Sequence, residues 1–428
     1  MNSSFLTRFI FMLMMLPAVT LAAGSSDGEI WEEFSRDDIK SVKLNRPDWN
    51  LSYPIITLAP GDELVLRFDQ LGDRVETWQY TFIHCDSEWK ESGLFATDYL
   101  NGFTENNIEQ YKVSFNTTVS YTHYHISFPN RDVSFKISGN YLIIVYPAGE
   151  PDNIVLAKRF MVSESAVSIN AVPQRSKLTA GYDTHQQIDF TVNHRGLRLT
   201  DPNRTVTATI MQNGRYDNAK YRLRPDFQGD MQLRFNQLSE ESLFPGGSEF
   251  RYFDTRSIRY QAEFIRSIDY FDGMYHIYLQ PSEDRRGREY FYWQDFNGKY
   301  YTAIQEGRDH DTEADYLWVY FTLPSPFPLK EGDLYVIGAL TGWRYEDSNR
   351  MYYNMESHQY ELSLFLKQGW YNYLYAVADS EGRPVPGAGF EGDHYETEND
   401  YIILIYYSDP SERFERLLGH VVANSPGS

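Results

Sequence analysis

Apolar residues recur at every second position through run after run of this chain, and almost nowhere with the 3.6-residue period of a helix. That alternation is what a half-buried strand requires, because successive side chains point to opposite faces of a sheet. Leu64, Leu66 and Phe68 share one face of a run, and Trp78, Tyr80 and Phe82 share another. Residues 141–146 are apolar on both faces, as a central strand of a sandwich is. Further runs lie at 188–192, 205–210, 275–279, 316–323, 360–366 and 401–407. Aromatic and β-branched residues fill them, and 34 Tyr, 27 Phe and 8 Trp supply ample area for packed cores. The pattern predicts an all-β protein of tandem immunoglobulin-like β-sandwich domains.

At 428 residues the chain exceeds what one core usually serves. The small polar stretch 163–177 and the proline cluster 324–328 suggest boundaries. The expected division is a signal peptide at 1–23, an N-terminal sandwich at 24–163, a middle β domain at 164–328 and a C-terminal sandwich at 329–428. Asn213-Gly214 and Asn297-Gly298 sit between strand-like runs and supply the positive φ of a tight hairpin, so 291–296 and 299–304 are expected to pair. The first residues read as an address: Arg8, an apolar run to Leu16, the breaker Pro17, and small residues around Ala22 and Ala23. No cysteine stands there for acylation, and no later run approaches the ~20 apolar residues of a spanning helix. An exported, unanchored protein without direct membrane insertion is expected.

A formal charge of −21 repels polyanions over most of the surface, so no nucleic-acid partner is expected, and a monomer is expected when the protein is free. The single cysteine, Cys85, excludes an internal disulfide, a cysteine-ligated zinc and an iron–sulfur cluster. His84 precedes it, but strand neighbours face opposite ways, which argues against a thiol–imidazole pair. His123 and His125 share a face and lack an evident third ligand, so hydrogen-bonded sheet histidines are expected and no metal site. The glycines from Gly387 to Gly392 match a dinucleotide pattern literally, without the βαβ context that gives it meaning. Glu391, Asp393, Glu396, Glu398 and Asp400 read as a solvated acidic loop facing a partner. Gly-x-Ser-x-Gly, His-Glu-x-x-His and phosphate-loop motifs are absent from the sequence. No catalytic residues and no cofactor are expected, and the residues alone stop at an exported, acidic, aromatic-rich β protein that binds something.

Several phrases together carry a resemblance: Tyr53-Pro54-Ile55-Ile56, Ile83-His84-Cys85-Asp86 running to Trp89, Tyr99-Leu100-Asn101-Gly102-Phe103, and Ser114-Phe115-Asn116-Thr117-Thr118 leading to Tyr121. They continue through Ser138-Gly139-Asn140-Tyr141, Arg159-Phe160-Met161-Val162, Lys367 to Tyr373, the stretch 391–401 and Arg416-Leu417-Leu418-Gly419. From about Ile39 to Ser425 the chain resembles the type IX secretion system plug protein family of Bacteroidetes-type bacteria. The resemblance implies a periplasmic, non-enzymatic protein associated with the outer-membrane translocon. It implies that the large barrel of that translocon is the partner and that its periplasmic opening is closed sterically. The partner-binding candidates are Tyr99, Asn101 and Phe103, where an Asn-Gly turn would present two rings; burial of those rings is the competing reading.

A second similarity lies in 336–343 and 366–377, which look like immunoglobulin-like glycogen-binding modules. Trp343 matches a sugar-stacking tryptophan there, Leu374 stands where those modules have a lysine, and no second tryptophan follows at the expected loop. The alternative function is therefore a periplasmic carbohydrate-binding protein using Trp343.

Overall fold

Among the described residues the alternating runs become strands that pair, mostly antiparallel, into three facing pairs of sheets plus one two-stranded ribbon. The computed structural model describes residues 31–236, 242–385, 389–409 and 411–425; the expected signal peptide lies outside them.

In the first sandwich, an outer sheet of Ile39–Asn45, Leu64–Leu71, Tyr121–Phe128 and Gln110–Val113 faces an inner sheet. The inner sheet is centred on Trp78–Cys85, Gly139–Pro147 and Leu156–Ser163. Leu64, Leu66, Phe68, Tyr124 and Phe128 from one side meet Trp78, Tyr80, Phe82, Tyr141 and Phe160 from the other. These are the same-face residues that the period-two pattern groups together.

The second sandwich is closed by the end of the chain. Its outer sheet contains Ser168–Arg175, His185–Asn193, Phe227–Gly229 and Gln232–Phe235. Its inner sheet runs Lys220–Leu223, Val206–Gln212, Asp400–Ser408, Glu415–Asn424. Ile403, Ile405 and Tyr407 thus share a core with Ile188, Phe190 and Val206.

The third sandwich is built from what lies between. Tyr316–Pro324 pairs along its whole length with Gln359–Lys367, and Arg251–Asp254 with Gly369–Ala378. The expected division at 328 therefore falls inside a sheet. The prolines there shape a loop whose end is pinned by the Leu329 amide donating to the Tyr360 hydroxyl at 2.6 Å. Nor do residues 400–424 belong with 333–378, because their hydrogen bonds go to 206–212.

The inner sheets of the first two sandwiches stack on each other. Leu142, Ile144 and Met161 pack there against Ile402, Leu404 and Tyr406. This is why 141–146 and 401–407 are apolar on both faces: one face fills its own sandwich, the other the junction.

The Asn-Gly turns divide. Asn213 and Gly214 both take positive φ, and the flanking strands 206–212 and 220–223 pair through a longer loop. Asn297 and Gly298 also take positive φ, but 291–296 is not a strand, and Tyr300–Thr302 pairs with Gly369–Ala378 instead. The backbone of 291–296 is drawn elsewhere: Phe296 N donates to the Asn372 side chain at 2.7 Å, and Trp293 donates its ring N–H to the Phe250 carbonyl.

Candidate functional site

The residues singled out from the sequence fall on two junctions and one surface loop. The junction between the first and second sandwiches collects the phrase 138–141. Ser138 Oγ donates to Glu164 at 2.8 Å and accepts from the Leu417 amide at 2.9 Å. Asn140 Oδ1 accepts from the Tyr406 hydroxyl at 2.7 Å. Arg416 pairs with Glu164 at 2.6 Å, and the Arg159 guanidinium lies 4.7 Å from both the Trp89 and Tyr216 ring centres. Cys85 is buried on this side of its strand, where burial pushes the thiol up and out of reach of ionisation. His84 turns the opposite way and sets its ring against Tyr141 at 4.9 Å.

The junction between the first and third sandwiches is polar. Asp69, fully buried on the outer face of the first sandwich, accepts from His123 Nδ1 at 2.6 Å, Lys367 Nζ at 2.6 Å and the Tyr316 hydroxyl at 2.8 Å. Burial raises the Asp69 carboxyl, but Lys367 and His123 outweigh it and hold it below the usual range. Asp315 accepts from the amides of Thr118 and Val119, and Tyr121 donates to the Ala314 carbonyl at 2.8 Å. His123 and His125 do share a face, with ring centres 6.1 Å apart.

All three bodies meet at Asp400, which accepts from Tyr53 at 2.6 Å, Lys299 at 3.1 Å and Asn424 at 2.5 Å. Most of the acidic stretch is thus not the solvated loop expected. Glu391 grips Arg251 at 2.7 and 3.1 Å, and Asp400 is buried; only Asp393 among its acids is exposed. Glu391 and Asp400 are the two whose charge is met by internal cations, Arg251 and Lys299. Part of the glycine-rich pattern, Gly387 and Ala388, lies outside the described residues.

The proposed anchor loop separates into inside and outside. Tyr99 is buried at 5% exposure and donates to the Phe82 carbonyl at 2.9 Å, so it is a core residue and not an anchor. Phe103 is 67% exposed. Asn101 is exposed too, but Leu100–Gly102 is a strand paired with Val133–Phe135 rather than a turn. At Gly102, φ is +90° and a Cβ would overlap the Asp132 carbonyl oxygen. Phe95 and Phe115, at 74% and 72%, are exposed rings that were not among the anchor candidates. An aromatic standing outside the period-two runs was the available signal. Trp343 borders a cleft with Trp89 and Tyr216, but Arg215 lies 4.8 Å from its ring centre and Phe250 meets it edge-on at 5.8 Å.

Three facing sheet pairs, braced across an apolar and a polar junction, define a multi-sandwich scaffold in which the chemistry of the singled-out phrases mainly joins one body to the next. Residues 39–164, the first sandwich, match the family model described as type 9 secretion system plug protein 1st domain. The chain is also similar to a solved crystal structure of a hypothetical protein from Parabacteroides merdae. That similarity has 31% identity and a TM-score of 0.88, over 93% of this chain and 100% of that one. No curated protein matches. The chain belongs to the type 9 secretion system plug protein family, whose members are components of that secretion system.

Proposed function

We propose that this protein is the periplasmic plug of the type IX translocon, closing the periplasmic opening of its large outer-membrane barrel by steric occlusion and without catalysis. The observation that carries the reading is the match of the whole first sandwich to the plug family's first domain. The architecture suits the task. A stopper has to keep its shape against a wide opening, and here each pair of neighbouring bodies is tied by buried side chains rather than by a bare linker. No helix among the described residues is long and apolar enough to cross a membrane, in keeping with a protein that docks on a barrel. Occlusion has to be reversible, so the partner surface must be displaceable when substrate arrives. We place part of that surface at the exposed Phe103 edge of the first sandwich.

The test is to tag the C-terminus, purify the protein gently from detergent-solubilised envelopes of its host, and identify what accompanies it. Co-purification of one very large outer-membrane barrel, lost when that barrel is deleted, is expected. Recovery of the protein alone, under conditions that keep other translocon complexes whole, would overturn the reading.

A further inference from the structure

Between the first and third sandwiches the polar junction opens into a cleft of about 330 Å³. Its floor is the outer face of the sheet containing Ile39–Asn45 and Leu64–Leu71, and its far wall comes from 301–311 and Lys367. The chain carries 60 acidic residues against 39 basic ones, yet Lys43, Arg67, Arg308 and Lys367 line this cleft against Asp69, Asp309 and Asp311.

The charges can be assigned one at a time. Lys367 and His123 are both committed to Asp69. Asp309 is committed to Lys112 at 2.8 Å. That leaves Lys43, Arg67 and Arg308 facing Asp311, which is 42% exposed at its side chain. Among the described residues Arg67 makes one side-chain hydrogen bond, a long one of 3.4 Å to Asn45 Oδ1, and feels the charge of Asp311 without a hydrogen bond to it, so most of its five donors have no acceptor there. Lys43 has the Tyr300 carbonyl as its acceptor and lies 3.8 Å from that ring's centre; among the described residues it has no carboxylate partner. The two cations are cross-strand partners, Lys43 opposite Arg67, and like charges directly opposite repel. Burial and the positive charges of Arg67 and Lys299 push the Lys43 amine down to about 7. His123 is buried, and its Nε2, on the same cleft, has no hydrogen-bond partner among the described residues and lies 3.7 Å from Asp311 Oδ1.

Two adjacent, under-coordinated cations at the floor of a cleft are the arrangement that an oxyanion satisfies, because it accepts from a guanidinium fork and an ammonium at once. We propose that this cleft binds an oxyanion, a phosphate or a carboxylate, held between Arg67 and Lys43. The cleft is wider than a bare ion, so the group can arrive as a free phosphate or as an acidic side chain of a polypeptide. Since the cleft lies between two sandwiches, a bound anion bridges them.

Isothermal titration calorimetry on the full mature chain, at constant ionic strength in chloride, tests this with two probes: inorganic phosphate and an acetylated, amidated triglutamate peptide. Saturable binding of at least one probe is expected, weakened at least tenfold by Arg67→Gln and by Lys43→Met, and unchanged by the distant Lys330→Gln. Binding of phosphate alone assigns the site to a free anion, and binding of the peptide assigns it to an acidic polypeptide. No saturable binding of either probe up to 20 mM, or equal binding by the two cleft variants, overturns the proposal. Circular dichroism checks that each variant is folded. If Arg67→Gln does not fold, Arg67→Lys keeps the charge without the fork and is expected to weaken the binding about tenfold; undiminished binding by Arg67→Lys and Lys43→Met together would overturn it as well.

Discussion

Gly139 sits at φ +145°, and a Cβ there would overlap the Nε2 of His84. That ring donates from Nε2 to the Ser138 carbonyl at 3.2 Å and is packed edge-on against Tyr141. Gly139→Ala is therefore expected to destabilise the first sandwich through both backbone strain and collision, by about 2–4 kcal/mol in urea denaturation. The same imidazole makes stability depend on pH. Burial pushes it down to about 4, against about 6.5 in an unfolded chain, so the fold holds the neutral ring. Its contribution is complete above pH 6.5 and is lost as pH falls towards 4, about 3 kcal/mol in all. Asp295 works in the opposite sense: burial raises its carboxyl to about 8, so its contribution grows as pH falls from 8. The comparison that isolates His84 is wild type against His84→Gln at pH 7 and 4.5, and the wild type is expected to lose more stability between them. Tyr99 and Phe103 separate two roles that proximity in sequence had joined. Tyr99→Ala empties a core position and is expected to cost about 3–5 kcal/mol, and Tyr99→Phe about 1 kcal/mol. Phe103→Ala should leave the melting transition unchanged and reduce recovery of the barrel with the tagged protein.

Strands are where the sequence was most informative, because their period is a local property. Leu64, Leu66 and Phe68, and Trp78, Tyr80 and Phe82, are grouped by alternation alone and all lie in one core. What alternation does not contain is the partner on the other face. Asp69 and His123 are outward-facing positions in their strands, which a single sheet would leave in water. Asp69 is buried because Lys367 and Tyr316, some 250 to 300 residues away in sequence, come down on it, and His123 is hydrogen-bonded to it beneath them. A lone buried carboxylate was therefore invisible, and His123 looked like an ordinary sheet histidine. The same limit applies at Asn297-Gly298, where the turn residues specified the positive φ but not which strand Tyr300–Thr302 would join. The Asp69–Lys367 pair can be tested as a unit. Removing one charge strands the other inside the junction, so Lys367→Met and Asp69→Asn are each expected to destabilise strongly, with Lys367→Met costing about 3–5 kcal/mol. The double variant leaves no uncompensated ion and should recover part of the loss. A double-mutant cycle in urea gives the coupling directly, and additive losses would show that the two charges do not depend on each other.

At the scale of the molecule, the third sandwich interrupts the second, and the break is closed by direct contacts. His394 N donates to the Gly247 carbonyl at 2.8 Å, Ser248 Oγ donates to the Gly392 carbonyl at 3.0 Å, and Gly247 N reaches Asp393 at 3.1 Å. Entry and exit of the inserted stretch are thus side by side, the condition under which a domain can be lifted out of a chain without moving what surrounds it. Two truncations then have opposite expected outcomes. Ending the chain at 328 removes two of the four strands of the second sandwich's inner sheet, together with Ile402, Leu404 and Tyr406 of the first junction. It also cuts the third sandwich between paired strands. That fragment should be insoluble, or protease-sensitive throughout its second half. Replacing 250–391 by a short Gly-Ser linker removes more of the middle of the chain but keeps 400–424 on 206–212, so a folded two-sandwich protein is expected, with a cooperative thermal transition and strand-rich circular dichroism. It exposes the polar outer face of the first sandwich, with Asp69 deprived of Lys367, and its stability should fall at least as far as that of Lys367→Met. An unfolded product from the excision would show that the third sandwich is an integral part of the second rather than an insertion into it, and a sharp transition from the 328 truncation would show that the second sandwich closes without 400–424.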